Sequence, residues 1–165
     1  MIDVFWQELT AGLHDSRQLT RVIIRLVVAT LLGAIVGFQR ERSRKRAGLR
    51  THMLVSLGTA VFVISCSGVG MSLDGLSRVI QGIVTGIGFI GAGSILKVGE
   101  ERDIKGLTTA AGVWMTAAIG VTAGLGSLGV AVLGTLLAVV ILALERLEPR
   151  SRKVSGVAKD PDKLR

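Results

Sequence analysis

The chain has 165 residues, a formal net charge of +8, 22 glycines, two prolines, no tyrosine and a mean hydropathy of +0.58. That length allows one domain, and a soluble domain of this size has no need of long charge-free runs in nearly every third of its length. Lys and Arg fall in short blocks between apolar runs and in the tail, which argues against nucleic acid as a partner, and the single cysteine, Cys66, excludes an intramolecular disulfide.

The first nineteen residues carry Asp3, Glu8 and Asp15 and no apolar h-region, so no ordinary signal peptide is expected. Ile2, Phe5, Trp6, Leu9 and Leu13 recur at helical spacing. That pattern fits an amphipathic segment over 1–19 lying at the membrane surface with Trp6 near the headgroups, or equally a partly disordered tail.

A membrane span needs about 20 apolar residues to cross about 30 Å of hydrocarbon. Four or five stretches qualify, and we expect an all-α, polytopic protein with five spans in a domain of residues 20–147. The first covers about 20–38 and is interrupted by Arg21 and Arg25; the second covers 52–70 and the third 79–96. The fourth, rather short, covers 107–123, and the fifth covers 128–144 after a break that suits a tight hairpin. Residues 148–165 form a basic tail with Pro149 and Pro161 and no core of its own, expected to be flexible.

Basic residues set the orientation. The first inner loop holds Arg40, Arg42, Arg44, Lys45, Arg46 and Arg50 against Glu41; the third loop holds Lys97, Arg102 and Lys105; and the tail adds seven more from Arg146 to Arg165. The other side keeps Arg17, Arg21 and Arg78. Five spans place every basic block on one face, with the N-terminus outside and the C-terminus in the cytoplasm, whereas four spans would export the tail.

Between Arg78 and Lys97 lie eighteen residues without an ionisable group, five of them glycines: Gly82, Gly86, Gly88, Gly91 and Gly93. Gly86, Gly88 and Gly91 match G-x-G-x-x-G, but a dinucleotide fingerprint must follow a strand and open a helix in an alternating chain. No Gly-Lys-Ser/Thr follows, so a P-loop fails too. Helices in lipid associate through close contact of small residues, and the pairs Gly33/Gly37, Gly82/Gly86 and Gly120/Gly124 offer such faces. Four glycines within 86–93 would also loosen a helix by about 1 kcal/mol each. An unwound segment facing a polar cavity or a cation therefore stands beside simple packing as a second reading.

Charge within the membrane calls for a partner. Arg25 lies below the outer end of the first span, with Asp74, just before Arg78, as its candidate partner or snorkelling to the headgroups as the alternative. At the inner end, Gln39, Arg40 and Glu41 lead to Arg50, Thr51 and His52, which serve topology and lipid contact or line an inner vestibule with Glu41. Thr108 and Thr109 open the fourth span as helix caps or as hydroxyls for an ion. His14 and His52 lack ligand-like spacing, and no set of residues suits an enzyme.

These residues resemble the MgtC/SapB family of bacterial inner-membrane proteins. The matches are Arg25-Leu with Leu32-Gly-Ala34, Ala47-Gly-Leu-Arg-Thr-His-Met-Leu-Val-Ser-Leu-Gly58, Asp74, Arg78-Val-Ile-Gln-Gly82, Gly86-Ile-Gly-Phe-Ile-Gly-Ala-Gly93 and Gly106-Leu-Thr-Thr-Ala-Ala111 with Trp114 and Gly120. The resemblance implies a multi-spanning protein linked to magnesium limitation and, in pathogens, to survival inside host cells. It departs at Gln39, where the family usually has Glu, unless Glu41 substitutes. Some members carry a soluble C-terminal domain, whereas this chain ends soon after the fifth span.

Two functions are expected. One is a transporter-like role in Mg²⁺ homeostasis, with Mg²⁺ as substrate or signal, no resident cofactor, and Asp74, Arg25 and the third-span glycines near the centre. The other is a membrane regulator that binds partner membrane proteins through helix faces and moves no ion. The sequence leans to the second, because a Mg²⁺ site wants more oxygen charge than one carboxylate. Membrane lipid and further copies of the chain are the other expected partners.

Overall fold

The computed structural model describes residues 1–5, 16–98 and 103–144. Residues 2–5 are helical and exposed, while Trp6, Leu9 and Leu13 of the expected surface segment and the whole tail 148–165 lie outside the described residues.

Five apolar helices form the body: α1 (Ser16–Arg42), α2 (Leu49–Gly68), α3 (Leu73–Ala92), α4 (Leu107–Gly124) and α5 (Leu128–Leu144). The first four are long and apolar enough to cross a membrane. The fifth has 17 residues without a charge, about 25 Å of helix, at the lower end of what spans a bilayer.

The third span differs from its expected limits. It starts six residues earlier because Ser72 caps it, the hydroxyl accepting from Gly75 N at 3.2 Å, and Asp74 sits in the first turn, where a negative charge meets the positive end of the helix dipole. It is also continuous: the α-helix runs through Gly82, Gly86, Gly88 and Gly91 and ends at Gly93. The glycine run is therefore not unwound. Hydrocarbon offers no water to a freed N–H or C=O, so the backbone stays hydrogen-bonded despite the poor helix propensity of glycine.

After α3 the chain forms a short antiparallel hairpin, β1 (Leu96–Val98) with β2 (Asp103–Lys105), pairing Leu96 with Lys105 and Val98 with Asp103. Lys97 thus lies in a strand rather than at a helix end. Gly106, with φ +101° and no room for a Cβ against the Ser94 carbonyl, turns the chain into α4.

Helix α4 is the centre and touches all four others. Its buried residues include Gly112, Thr116, Ala117, Gly120, Ala123 and Gly124, so neighbouring backbones approach closely. A Cβ at Gly120 would collide with Thr59 Oγ1 and the Ser56 carbonyl, and one at Gly124 would lie 2.9 Å from the Ala60 carbonyl. In α1, a Cβ at Gly33 would lie 2.6 Å from the His52 carbonyl and one at Gly37 2.7 Å from Leu49 Cα. Ala29, Leu32, Val36, Ala60, Ile119 and Ala123 fill the core between these crossings. Helix α3 is peripheral, packing mainly on α4 and α2 among the described residues, with Gly91 in ordinary contact with Ala110.

Candidate functional site

Polar side chains at membrane depth call for partners inside the protein, and several here find them on neighbouring helices. Ser56 of α2 donates to the Ala29 carbonyl of α1 at 2.7 Å. Thr59 Oγ1 lies 3.2 Å from the Ala117 carbonyl of α4 and 2.9 Å from that of Val55. These bonds stitch α1, α2 and α4 together beside the glycine crossings.

Arg25 does not reach Asp74. Its Nη1 donates to the Gly124 carbonyl at the end of α4, at 3.0 Å. The guanidinium fills the space beneath Gly126, whose φ of +86° makes the α4–α5 turn and where a Cβ would lie 2.5 Å from Nη2. A cation at a helix C-terminus meets the negative end of the dipole, so Arg25 fastens the outer hairpin to α1. Asp74 and Arg78 stand exposed on α3 and share no ion pair with each other.

The inner end holds the main polar cluster. α1 continues to Arg42, so Gln39 and Arg40 lie on the helix rather than in a loop. Arg40 is 1% exposed and donates from Nη2 to Thr109 Oγ1 on α4 at 3.0 Å. Thr109 is therefore a buried acceptor and not a cap; Gly106 occupies the N-cap position of α4 without a side-chain bond, and Thr108 is exposed. Gln39 Nε2 donates to the Val139 carbonyl of α5 at 3.0 Å.

His52, fully buried, bonds the Gly48 carbonyl through Nδ1 at 2.9 Å. A carbonyl only accepts, so Nδ1 carries the proton and Nε2 is an acceptor. Nε2 has no partner among the described residues and points toward Gly112, where an added Cβ would lie 3.8 Å away.

Glu41 closes the α1–α2 connection, its Oε2 accepting from Leu49 N at 2.9 Å. This replaces the missing cap of α2, whose N-cap is Gly48. Glu41, Gly48, Leu49, Arg50 and Thr51 line an open hollow of about 390 Å³, while His52 turns away from it into the core. Among the described residues no group of three or more His, Cys, Asp or Glu is gathered as for a metal.

The sequence places Arg40 both in a topogenic basic block and among the candidate polar residues of the inner end, without showing its burial. The signal that identifies it is its spacing: Ala29, Leu32, Gly33, Val36, Gly37 and Arg40 are all buried and follow one helix face.

Apolar helices that turn their polar groups inward onto one another's backbones define a multi-pass membrane protein. Residues 26–149 match the model of the MgtC family, and the chain belongs to that family. It is 43% identical over 127 residues to YhiD of Escherichia coli K12, covering 73% of this chain and 58% of that one. SrpB of Synechococcus elongatus is 40% identical over 131 residues, covering 72% and 71%. MgtC of Salmonella typhimurium is 44% identical over 115 residues, covering 70% and 48%. The chain thus spans about half the length of MgtC and under two thirds of YhiD. No solved structure matches it.

Proposed function

We propose that the protein serves adaptation to low magnesium in the bacterial inner membrane as a regulator that binds other membrane proteins through its helix faces and carries no ion itself. One observation carries this reading: Arg25, Gln39, Arg40, Ser56 and Thr59 each make a hydrogen bond to another helix of the bundle. These polar groups tie the helices together, and the charges among them, half-buried Arg25 and buried Arg40, are cations that repel Mg²⁺. Magnesium enters the reading through the family and through one relative, which bears the name "Putative magnesium transporter YhiD". The basic blocks support an N-terminus outside and a C-terminus in the cytoplasm.

A transporter-like role is the second reading. The hollow at Glu41, Arg50 and Thr51 favours it, since it presents a carboxylate at the inner face. Mg²⁺ keeps several waters and needs few protein oxygens, so one carboxylate there would serve as an entry point rather than a full site.

The test is a strain without its MgtC-family protein, grown at limiting Mg²⁺. Expression of this chain is expected to restore growth while initial Mg²⁺ uptake, followed with the metal itself, stays within about twofold of the empty-vector strain. Restored growth with uptake raised in proportion to expression would overturn the regulatory reading.

A further inference from the structure

His52 is fully buried, and its Nε2 is a hydrogen-bond acceptor with no donor among the described residues. The tautomer is set by the Gly48 carbonyl, which accepts from Nδ1 at 2.9 Å. An acceptor left alone in a low-dielectric interior is destabilising, so a donor is expected at Nε2.

The surroundings define what that donor can be. Among the described residues, Nε2 is the one atom within 4 Å of a Cβ built at Gly112, apart from the backbone of α4 itself. The bare face of Gly112 therefore leaves room beside the imidazole for a molecule of the size of water. Thr109 lies three residues before Gly112, on the same face of α4, and accepts from Arg40 Nη2. The guanidinium and the imidazole thus flank one short stretch of α4, and the Arg40 charge acts on the His52 ring.

A molecule in this space meets a cation that only donates on one side and a neutral lone pair on the other. A metal ion is repelled by Arg40, and an anion by the Nε2 lone pair. Water suits both, accepting from the guanidinium and donating to Nε2. It also has a short way in. His52 lies three residues, about 4.5 Å of helix, below Leu49, and Leu49 and Gly48 line the open hollow at the inner end.

We propose that the crossing of α1, α2 and α4 contains a buried water site, in which one water bridges Arg40 and His52 Nε2 beside Gly112. This gives Gly112 a role unlike that of Gly120. At Gly120 a Cβ collides with α2, whereas at Gly112 it fits and takes the place of the water. The site stands whether the protein regulates or transports.

The test compares Gly112→Ala with Gly112→Ser. Helix propensity alone makes alanine the more stable of the two. The water reverses that order, because the methyl expels it and strands Nε2, whereas the serine hydroxyl takes over its bond. Unfolding in mixed micelles is expected to give Gly112→Ala an unfolding constant about three- to tenfold above that of Gly112→Ser. The second measurement is ¹⁵N solid-state NMR of the otherwise unaltered chain in bilayers, with His14→Gln leaving one histidine. His52 Nε2 is expected to be unprotonated and to receive magnetisation from water protons, and Gly112→Ala is expected to remove that transfer. Alanine as stable as serine or more so, no transfer to Nε2 in the parent, or a transfer that survives Gly112→Ala would each overturn the proposal.

Discussion

Gly120→Ala is expected to destabilise the protein by about 3 kcal/mol, at the upper end of what a single inserted methyl costs a tight core. The new Cβ would fall on Thr59 Oγ1 and on the Ser56 carbonyl and Cα. Two of those three atoms are backbone and cannot rotate away, so α4 must leave α2. Separation would also stretch the Thr59 bond to the Ala117 carbonyl, one of the direct links between the two helices. Gly58→Ala on α2 provides the opposite case. Nothing lies within 4 Å of its added Cβ, so only the helix-propensity term remains, a gain of about 1 kcal/mol. Unfolding in mixed micelles, followed by circular dichroism, should place the two variants on opposite sides of the parent. If they shift together, the close crossing of α2 and α4 is wrong.

Arg40→Ala is expected to cost about 3–5 kcal/mol, since it empties a fully buried volume and leaves Thr109 without its charged donor. Part of that loss is offset by removing a desolvated cation from the core. Arg40→Met retains the bulk while discarding the charge, so it should cost clearly less than alanine. Arg40→Lys should not rescue, because an ammonium point charge does not reproduce the planar fork that reaches Thr109. Thr109→Val removes the acceptor at nearly constant volume and should cost about 1.5–3 kcal/mol in the parent. In an Arg40→Met background the same change should cost almost nothing. A double-mutant cycle of unfolding free energies measures this coupling, and strict additivity would mean that the Arg40–Thr109 bond contributes nothing.

The helical class and the five apolar helices were legible in the sequence, because a bilayer demands runs of about 20 apolar residues and a soluble core does not. α4 and α5 lie within a residue or two of their expected limits, since glycines and a serine break the hydropathy sharply between them. The start of α3 was missed for a definite reason. Hydropathy responds to where lipid begins, whereas a helix begins where its first N–H groups are satisfied, and Ser72 does that six residues earlier. The pairs in α1 and α4 lie at close helix crossings, but whether a small face is used inside or left open depends on which helices become neighbours. Arg25 shows the same limit: its carbonyl partner is 99 residues away, and no local pattern points there. Arg40 was readable from its position on the buried stripe of α1, but its membership of a basic cluster concealed it. The hairpin after α3 escaped because its strands are three residues each and carry charges.

The claim that the buried polar groups hold helices together rather than pass an ion is tested most directly by flux. Purified protein is reconstituted into liposomes containing a Mg²⁺-sensitive dye, and an external Mg²⁺ gradient is imposed at neutral pH with and without a membrane potential. The account predicts a signal indistinguishable from empty liposomes, and no change with Asp74→Ala. Saturable Mg²⁺ entry that scales with the amount of protein and vanishes with Asp74→Ala would contradict it.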